Sequence, residues 1–234
     1  MSSSNKILST PKNLQVVFED NHIIIVNKRA GDIVQGDRTG DIPLSEVVKE
    51  YIKNKYNKPG NVYLGVVHRL DRPTTGIVVF ARTSKALTRL NKMFANKEVS
   101  KTYWAVVKNK PQKANNTLIN WLKKNPKNNK STAYSSEIKD SKKAILHYKV
   151  IKSLDNYHLL EVNLETGRHH QIRSQLSNIG SPIKGDLKYG FDRSNKDASI
   201  HLHSRKIEFI HPVSKENISI TAPTPNDVIW DACS

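Results

Sequence analysis

The sequence predicts an α+β fold, in which a single domain is built around a largely antiparallel, twisted mixed sheet with flanking helices and loops. Three observations point to this class. Short β-rich runs outnumber helical segments, the turns between them are short, and no internal repeat occurs at a fixed period. Strands joined by short turns favour antiparallel pairing. At 234 residues the chain is long enough to bury a substantial core.

The first part of the chain predicts a leader, a hairpin and a helix. Residues 1–12 are rich in Ser, Lys and Asn, which is typical of a flexible leader. Leu14–Phe18 and His22–Asn27 are β-rich runs separated by three polar residues, so they predict a hairpin. Pro43–Lys53 predicts a helix, because proline is favoured in the first turn.

The middle of the chain alternates between apolar and polar segments. Gly76–Ala81 predicts a buried strand, and Thr83 or Ser84 then caps a helix with one apolar stripe. Lys101–Val107 predicts the next strand. Residues 109–130 are rich in Asn, Lys and Pro around an apolar island, which indicates a mobile insertion or a small excursion from the sheet.

The last part of the chain predicts four strands and one helix. Ala144–Ile151 and Tyr157–Leu164 form a β-pair around a polar turn. Arg168–Ile179 has apolar residues at helical spacing with Gly180 in the stop position, so it predicts a helix. The late strands are Lys206–Ile210 and Asn217–Thr221.

The charge balance predicts a polyanionic partner. The chain has 38 Lys and Arg against 21 Asp and Glu, a net charge of +17. Such a field attracts nucleic acid, because neutralising phosphates supplies most non-specific affinity; solubility alone is the alternative. A membrane surface is not expected, since the charges are dispersed. Cys233 is the only cysteine and the first ten residues lack an apolar signal region, so we expect a reducing, cytoplasmic location.

One segment places a carboxylate between two arginines. Asp71 lies between Arg69 and Arg72 in Val67–Gly76, just ahead of an apolar run. A neighbouring guanidinium favours the charged carboxylate and lowers its pKa by ~1–3 units. Asp71 is therefore a candidate nucleophile that needs no separate base. The alternative is a structural Asp–Arg pair that braces a turn.

Several motifs in order resemble one enzyme family. His68-Arg69-Leu70-Asp71 followed by Thr75-Gly76 resembles the signature of the RluA-type pseudouridine synthases. Two more segments are similar to family motifs, and so are the regions around Gly180–Asp186 and Leu202–Pro212. The two segments are Lys101-Thr102-Tyr103-Trp104-Ala105-Val106-Val107 and Glu165-Thr166-Gly167-Arg168-His169-His170-Gln171-Ile172-Arg173. The resemblance runs from about Val16 to Val213, far more than one tetrapeptide.

The resemblance implies isomerisation of uridines in RNA to pseudouridine without a cofactor or a metal. Asp71 is then the catalytic aspartate, acting by attack on C1′, by addition to C6, or by deprotonation at C2′ through a glycal. Tyr103 is the active-site tyrosine that stacks on a flipped uracil, although a core tyrosine on a strand is the alternative. Arg173 is implied to pair with Asp71. On this basis Arg173→Ala is predicted to leave folding largely intact.

The resemblance also implies a set of substrate-binding residues. They are Arg69, Arg72, Arg168, His170 and Gln171. Arg69 is implied to occupy the gap left by an extruded base. Arg168 is the other candidate to pair with Asp71, and its alternative role is to hold phosphate. The partner is a structured RNA, ribosomal or transfer, and a monomer is expected.

The chain departs from the family pattern in its domains and in a few side chains. Many members carry an N-terminal S4-like domain, whereas here residues 13–234 are predicted to form the catalytic domain directly after the leader. His169 replaces a common threonine, and Ser174-Gln175 replaces a frequent valine–histidine pair. These changes flank Arg173 and affect substrate fit more than chemistry.

Two other function classes compete with this interpretation. His201 and His203 alternate on a predicted strand and share a face, as two metal ligands would. A zinc hydrolase needs a third ligand and a general base at a recognisable spacing, and no His-Glu-x-x-His occurs, so no metal is expected. A non-catalytic RNA-binding protein on a synthase-like fold is the second class; intact Asp71, Tyr103 and Arg173 argue against it.

Overall fold

The computed structural model describes residues 7–233, so the first half of the predicted leader lies outside the described residues. The strands, in chain order, are β1 (Val16–Glu19), β2 (Ile23–Lys28), β3 (Gly65–Val66), β4 (Thr75–Ala81), β5 (Ser100–Val107), β6 (Asn115–Asn125), β7 (Lys130–Tyr134), β8 (Lys142–Ser153), β9 (His158–Leu164), β10 (Leu202–Ile210) and β11 (Asn217–Thr221). The helices are α1 (Leu44–Lys55), α2 (Ser84–Ala95), α3 (Gln171–Asn178) and α4 (Val228–Cys233), with a 3₁₀ turn at Leu187–Tyr189.

The chain divides into two compact units. The first unit comprises the residues up to Ser100 together with Ser204–Pro225, and the second comprises Lys101–His203 with the residues from Asn226 onward. In the first unit the strand order is β1-β2-β4-β10-β11, and β3 pairs with the end of β4. In the second unit the order is β5-β9-β8-β6-β7, and every neighbouring pair is antiparallel.

The central strands of the first unit are buried on both faces. Ile23 and Ile25 of β2 pack in one apolar cluster with α2, whereas Ile24 and Val26 pack in another with α1. A strand covered on both sides needs a continuous apolar run and does not alternate. The run of isoleucines in β2 is therefore explained by its place between two helical layers.

Gly76 is required where β4 approaches β10. Its φ is +108°, and a Cβ atom there would lie 2.6 Å from the backbone nitrogen of Ser204. We expect Gly76→Ala to lower the free energy of unfolding by at least about 1–3 kcal/mol, the cost of holding a non-glycine residue in this conformation. Urea unfolding of the whole chain measures the change. Gly36→Ala is the control, since nothing lies within 4 Å of that position, and an equal loss in both variants would contradict the prediction.

The second unit has helices on opposite faces of its sheet. On one face, the Gln175 side chain of α3 donates to the carbonyl of Leu118 at 3.2 Å and to Oδ1 of Asn120 at 2.9 Å. On the other face, Trp230 of α4 packs with Val106 and Leu159. Helices and antiparallel strands together confirm the predicted α+β class.

The prediction of an insertion or an excursion at residues 109–130 is wrong for residues 115–125. They form β6 within the sheet, because β6 and β7 make a hairpin that continues it beyond β8. The apolar island is a regular strand whose Leu118, Asn120 and Leu122 are buried while the residues between them face outward. Asn and Lys on the solvent side made the segment look irregular, although the alternation of a half-buried strand was present.

Two boundaries also differ from the sequence prediction. The helix predicted from Arg168 begins at Gln171, because His170 has φ +53° and cannot belong to it. In the second half of the predicted leader, Ser9 is buried and its hydroxyl donates to Asp32 at 2.6 Å, so this part is attached to the first unit. No helix within residues 7–233 combines the length and apolar character needed to span a bilayer.

Candidate active site

Asp71 lies in the loop between β3 and β4 in the first unit. The loop forms a turn in which the Thr74 N–H donates to the Asp71 carbonyl at 3.0 Å. The Asp71 side chain is partly buried, whereas Arg69 is exposed. Behind the turn, the carbonyl of Arg72 accepts a hydrogen bond from the Gly31 N–H at 2.8 Å. The backbone just after Asp71 is therefore hydrogen-bonded to Gly31, which lies in the loop between β2 and α1.

A buried lysine stabilises this loop. Lys28, the last residue of β2, is 1% exposed. Its ammonium donates hydrogen bonds at 2.7–3.1 Å to three backbone carbonyls, those of Arg29, Arg72 and Thr74. Burying an ammonium is costly unless it is hydrogen-bonded. Two of these carbonyls, those of Arg72 and Thr74, belong to the turn that directly follows Asp71, so Lys28 stabilises the conformation that presents the carboxylate.

The two arginines beside Asp71 have different environments. Arg72 donates to Asp41 at 2.5 Å and to Thr39 Oγ1 at 2.9 Å, and it lies 3.6 Å from Asp37. The hydrogen bond from Arg72 lowers the pKa of Asp41. Arg72 thus joins the Asp71 loop to the loop at residues 37–41, whereas Arg69 remains accessible to a ligand. A substrate-binding role for each stays a prediction.

Tyr103 lies on β5 in the second unit, 7% exposed and opposite Val162. Side chains alternate along a strand, so Tyr103 shares its face with Lys101. Burial lowers the pKa of Lys101. Its Nζ lies 4.0 Å from the position that a Cβ atom on Gly167 would occupy. A tyrosine ring and a partly desolvated ammonium on one face suit an aromatic, hydrogen-bonding ligand.

Arg173 of α3 forms a buried bidentate ion pair. Its Nε lies 2.7 Å from Oδ2 of Asp186, and its Nη2 lies 2.8 Å from Oδ1. Both side chains are at least 94% buried. The paired hydrogen bonds fix the guanidinium plane and leave its remaining edge in a defined direction. Asp186 is a partner that the sequence did not predict for Arg173.

The turn before α3 is held by a glutamine. Gln171 Oε1 accepts from the Thr166 hydroxyl at 2.8 Å and from the Arg168 N–H at 3.0 Å, while its Nε2 donates to the Ile145 carbonyl at 3.0 Å. Arg168 is exposed, and its Nε donates to the carbonyl of Lys143 at 3.0 Å. Gln171 therefore orders the backbone from which Arg168 projects.

His170 is anchored at the beginning of α3. It is 8% exposed, and its Nδ1 is hydrogen-bonded to the hydroxyl of Tyr189 at 2.9 Å. The same hydroxyl accepts the N–H of Ser131 on β7 at 2.8 Å. The His169 ring stacks on His170 with 3.8 Å between centroids. The position of His170, whose backbone is left-handed, is thus fixed by a ring stack on His169 and a hydrogen bond to Tyr189.

These motifs agree with a family match over most of the chain. A family model described as RNA pseudouridylate synthase matches residues 22–178. The chain belongs to this family. Its members isomerise uridine in RNA to pseudouridine, so the chain is an isomerase of this class, and the RluA-type resemblance of the motifs is confirmed.

The most similar relatives include named synthases from bacteria. The chain is 33% identical over 225 residues to ribosomal large subunit pseudouridine synthase D of Zymomonas mobilis, covering 92% of this chain and 70% of that protein. It is 31% identical over 225 residues to the uncharacterized RNA pseudouridine synthase YlyB of Bacillus subtilis, covering 95% of this chain and 73% of that protein. Among solved structures, human RNA pseudouridylate synthase domain containing 4 has the same fold, with a TM-score of 0.76 and 21% identity over 94% of this chain and 92% of that one.

The predicted catalytic residues of the synthase are divided between the two units. Asp71 lies in the first, and Tyr103 and Arg173 lie in the second. The pairing of Asp71 with Arg173 therefore stays a prediction. The sequence did not predict a role for Lys28 or Asp186. The signal for Lys28 was a lone charge closing an apolar strand, and for Asp186 it was an acidic residue in the motif region that follows α3.

His201 and His203 of the synthase pack on a common aromatic ring. Their ring centroids lie 5.2 and 5.9 Å from that of Trp230, so they share the face that their alternation predicted. His201 Nε2 donates to Asp227 at 3.0 Å, and its Nδ1 accepts from Asn195 Nδ2 at 3.0 Å. Both nitrogens of His201 thus bind protein groups. Among residues 7–233 no group of three or more His, Cys, Asp or Glu side chains is arranged to hold a metal.

The environment of His201 predicts a pH-dependent stability. Burial lowers the pKa of His201, and the hydrogen bond to Asp227 offsets only part of this effect. A lowered pKa means that the unfolded chain takes up a proton before the folded protein does. We therefore expect the contribution of neutral His201 to the free energy of unfolding to be complete above about pH 6.5. Below that pH the contribution should fall by up to ~1.4 kcal/mol per pH unit. Urea unfolding at several pH values should show that the wild type loses free energy of unfolding more steeply with falling pH than His201→Gln does. Identical pH dependence in the two proteins would contradict the prediction.

Proposed function

We propose that this synthase isomerises specific uridines in ribosomal or transfer RNA, with Asp71 as the catalytic carboxylate acting on a uridine turned out of its stack. The observation that carries the proposal is the anchored turn around Asp71. Lys28 binds the carbonyls of Arg72 and Thr74, and the Gly31 N–H binds that of Arg72, so the carboxylate is presented from an ordered loop. A preorganised group loses little freedom when the reaction begins.

The chemistry needs no external redox partner. The glycosidic bond from ribose C1′ to uracil N1 breaks, the base turns, and C1′ bonds to C5. C5 then loses its proton and N1 gains one, so the product has the same atoms as the substrate. Tyr103 supplies an aromatic surface for the detached ring. Arg173, oriented by Asp186, is the proposed partner of Asp71. The three routes for Asp71, at C1′, C6 or C2′, all stay open.

Large-subunit ribosomal RNA is the first target to test. The relative from Zymomonas mobilis is named for that substrate. The net charge of +17 suits a large folded RNA, because phosphate neutralisation supplies both affinity and rapid encounter. Turning the base out costs a few kcal/mol, which contacts with the flanking strand offset.

The test compares pseudouridine maps of total RNA from cells with and without this gene. One or a few uridines should lose the modification and regain it when the wild-type gene is restored. Purified protein should then form pseudouridine at the same positions in unmodified RNA. Identical maps, combined with tight RNA binding by the purified protein, would favour the non-catalytic RNA-binding alternative.

A further inference from the structure

The sheet of the second unit has one face turned away from Tyr103. A row of four paired residues crosses this face: Thr102, Asn163, His147 and Thr117. The side chains of Thr102 and Asn163 are hydrogen-bonded at 2.9 Å, and those of His147 and Thr117 at 2.8 Å. Alternation places Tyr103 on the opposite face, with α3. We call the face bearing this row the outer face.

Helix α4 covers only one end of the outer face. Trp230 packs on Val106 and Leu159 near β5 and β9. Toward β6 and β7, large side chains remain accessible: Ile119 is 48% exposed and Tyr134 is 37% exposed. An antiparallel sheet that is buried on one face normally carries polar residues on the face that is turned toward water. This end of the outer face instead carries apolar and aromatic side chains.

Two aromatic residues are paired across the hairpin. Trp121 of β6 lies directly opposite Tyr134 of β7. Directly opposed side chains have Cβ atoms about 4.5–5.5 Å apart, so the two side chains leave the sheet next to each other. On the other side of Trp121, the ammonium of Lys143 lies 5.9 Å from its ring centroid. An aromatic pair is thus bordered by a cation.

The segment around this pair is strongly basic. Residues 113–152, which contain β6, β7 and most of β8, include ten lysines and two acidic residues. One of the acids, Asp140, lies 3.7 Å from Lys123, but both side chains are exposed, and such pairs contribute little. The surface therefore combines flat apolar rings with a net positive field, which is complementary to a nucleic acid strand.

We propose that the outer face at Ile119, Trp121 and Tyr134 binds an unpaired stretch of the RNA substrate outside the target uridine. The proposal rests on the proposed function. Bases stack on Trp121 and Tyr134, because every base presents a π-face and stacking tolerates sequence. Lys123 and Lys143 neutralise the adjacent phosphates. This binding adds affinity and selects RNAs with a single-stranded segment at a suitable distance.

A second copy of the chain fits this surface less well. A two-fold contact places the same residues on both sides, so Lys123 and Lys143 would face the same cations across the interface. Like charges brought together in this way cost several kcal/mol. A polyanion is attracted by the same lysines, so contact with them is favourable.

The test measures binding of the intact protein to a fluorescein-labelled, unstructured 20-nucleotide RNA by anisotropy. Trp121→Ala should weaken binding ~5- to 100-fold, the effect of removing one stacking platform. Lys123→Gln combined with Lys143→Gln should reduce the slope of log K against log salt by ~0.7 for each phosphate that these lysines neutralise in the wild type. Lys49→Gln with Lys53→Gln on α1 is the matched control and should change affinity much less.

Fluorescence reports the binding of RNA at Trp121 directly. Trp104 and Trp230 lie in the cluster beneath α4, so RNA should quench mainly Trp121. Trp121→Phe should bind RNA nearly as well as the wild type and lose most of the quenching. Unchanged quenching in this variant would overturn the proposal.

Two further outcomes would overturn the proposal and leave the proposed function intact. One is an RNA affinity of Trp121→Ala within twofold of the wild type, with normal pseudouridine formation. The other is self-association of the wild type that Trp121→Ala abolishes, which assigns the surface to a second copy. Failure of the proposed function differs from both, because the wild type itself would then form no pseudouridine in any RNA.

Discussion

Asp71→Asn is expected to abolish pseudouridine formation, reducing turnover by about four orders of magnitude or more, in line with the loss of other enzymic nucleophiles. The amide matches the carboxylate in shape but lacks its charge and is far less nucleophilic. The side chain is only partly buried, so the free energy of unfolding should change by less than about 1 kcal/mol. The assay is release of tritium from RNA labelled at uridine C5, since that hydrogen leaves during isomerisation.

The Asp71→Asn variant also separates the two function classes. A synthase should lose product and retain RNA affinity, whereas a pure binder should keep its biological effect. Asp155→Asn, in the exposed turn between β8 and β9, is the matched control and should be fully active. Product at the wild-type rate from Asp71→Asn would show that another group performs the chemistry.

Arg173→Ala is expected to destabilise the fold as well as stop turnover. The sequence alone predicted a largely intact fold for this variant. The structure changes this expectation, because removing Arg173 leaves the carboxylate of Asp186, 1% exposed, without its cation. Breaking a buried pair from one side costs about 3–5 kcal/mol. Urea unfolding measures this loss, and a wild-type midpoint would contradict it.

A double variant separates stability from catalysis at this pair. Arg173→Met with Asp186→Leu replaces both charges by apolar groups, and such replacements of buried pairs are often neutral or stabilising. We expect the double variant to recover most of the unfolding free energy lost in Arg173→Ala and to remain inactive. Recovery of both stability and tritium release would assign Arg173 a structural role only.

Strongly patterned elements of the fold were predictable from the sequence. The Thr83 hydroxyl accepts the N–H of Ala86 at 3.2 Å and caps α2 as its residue type predicts. The antiparallel pair β8–β9 turns at Leu154-Asp155-Asn156, as predicted. In both cases local chemistry and tertiary structure favour the same conformation, so a short window of sequence was enough.

The hairpin β6–β7 was not predictable from its composition. Its Asn and Lys content is typical of a loop, and the buried positions Leu118, Asn120 and Leu122 include a polar residue. Asn120 is tolerated because Gln175 donates to it at 2.9 Å. A buried amide that is satisfied by a residue 55 positions away leaves no local signal.

The partners of the candidate site residues are equally non-local. Lys28 precedes Thr74 by 46 positions, and Arg173 precedes Asp186 by 13. The motifs identified which side chains matter, and the fold supplied the groups that orient them. Resemblance alone assigned Arg173 to Asp71, whereas the described structure shows the ion pair that holds its guanidinium in place.

The hydrogen bonds of Ser131 determine which part of the β6–β7 hairpin can change in sequence. Its N–H binds Tyr189, its hydroxyl lies 2.9 Å from His169, and its carbonyl accepts from Ser174 at 3.0 Å. Two of these groups bind the segment that carries Arg173, and the N–H binds the 3₁₀ turn that contains Tyr189. The exposed residues 126–129 at the hairpin tip lie beyond this junction, and it is the backbone carbonyls of Asn128 and Asn129 that accept hydrogen bonds from Lys188. Evolution or engineering can therefore change the side-chain charge of the tip while these backbone contacts and the Ser131 junction stay in place.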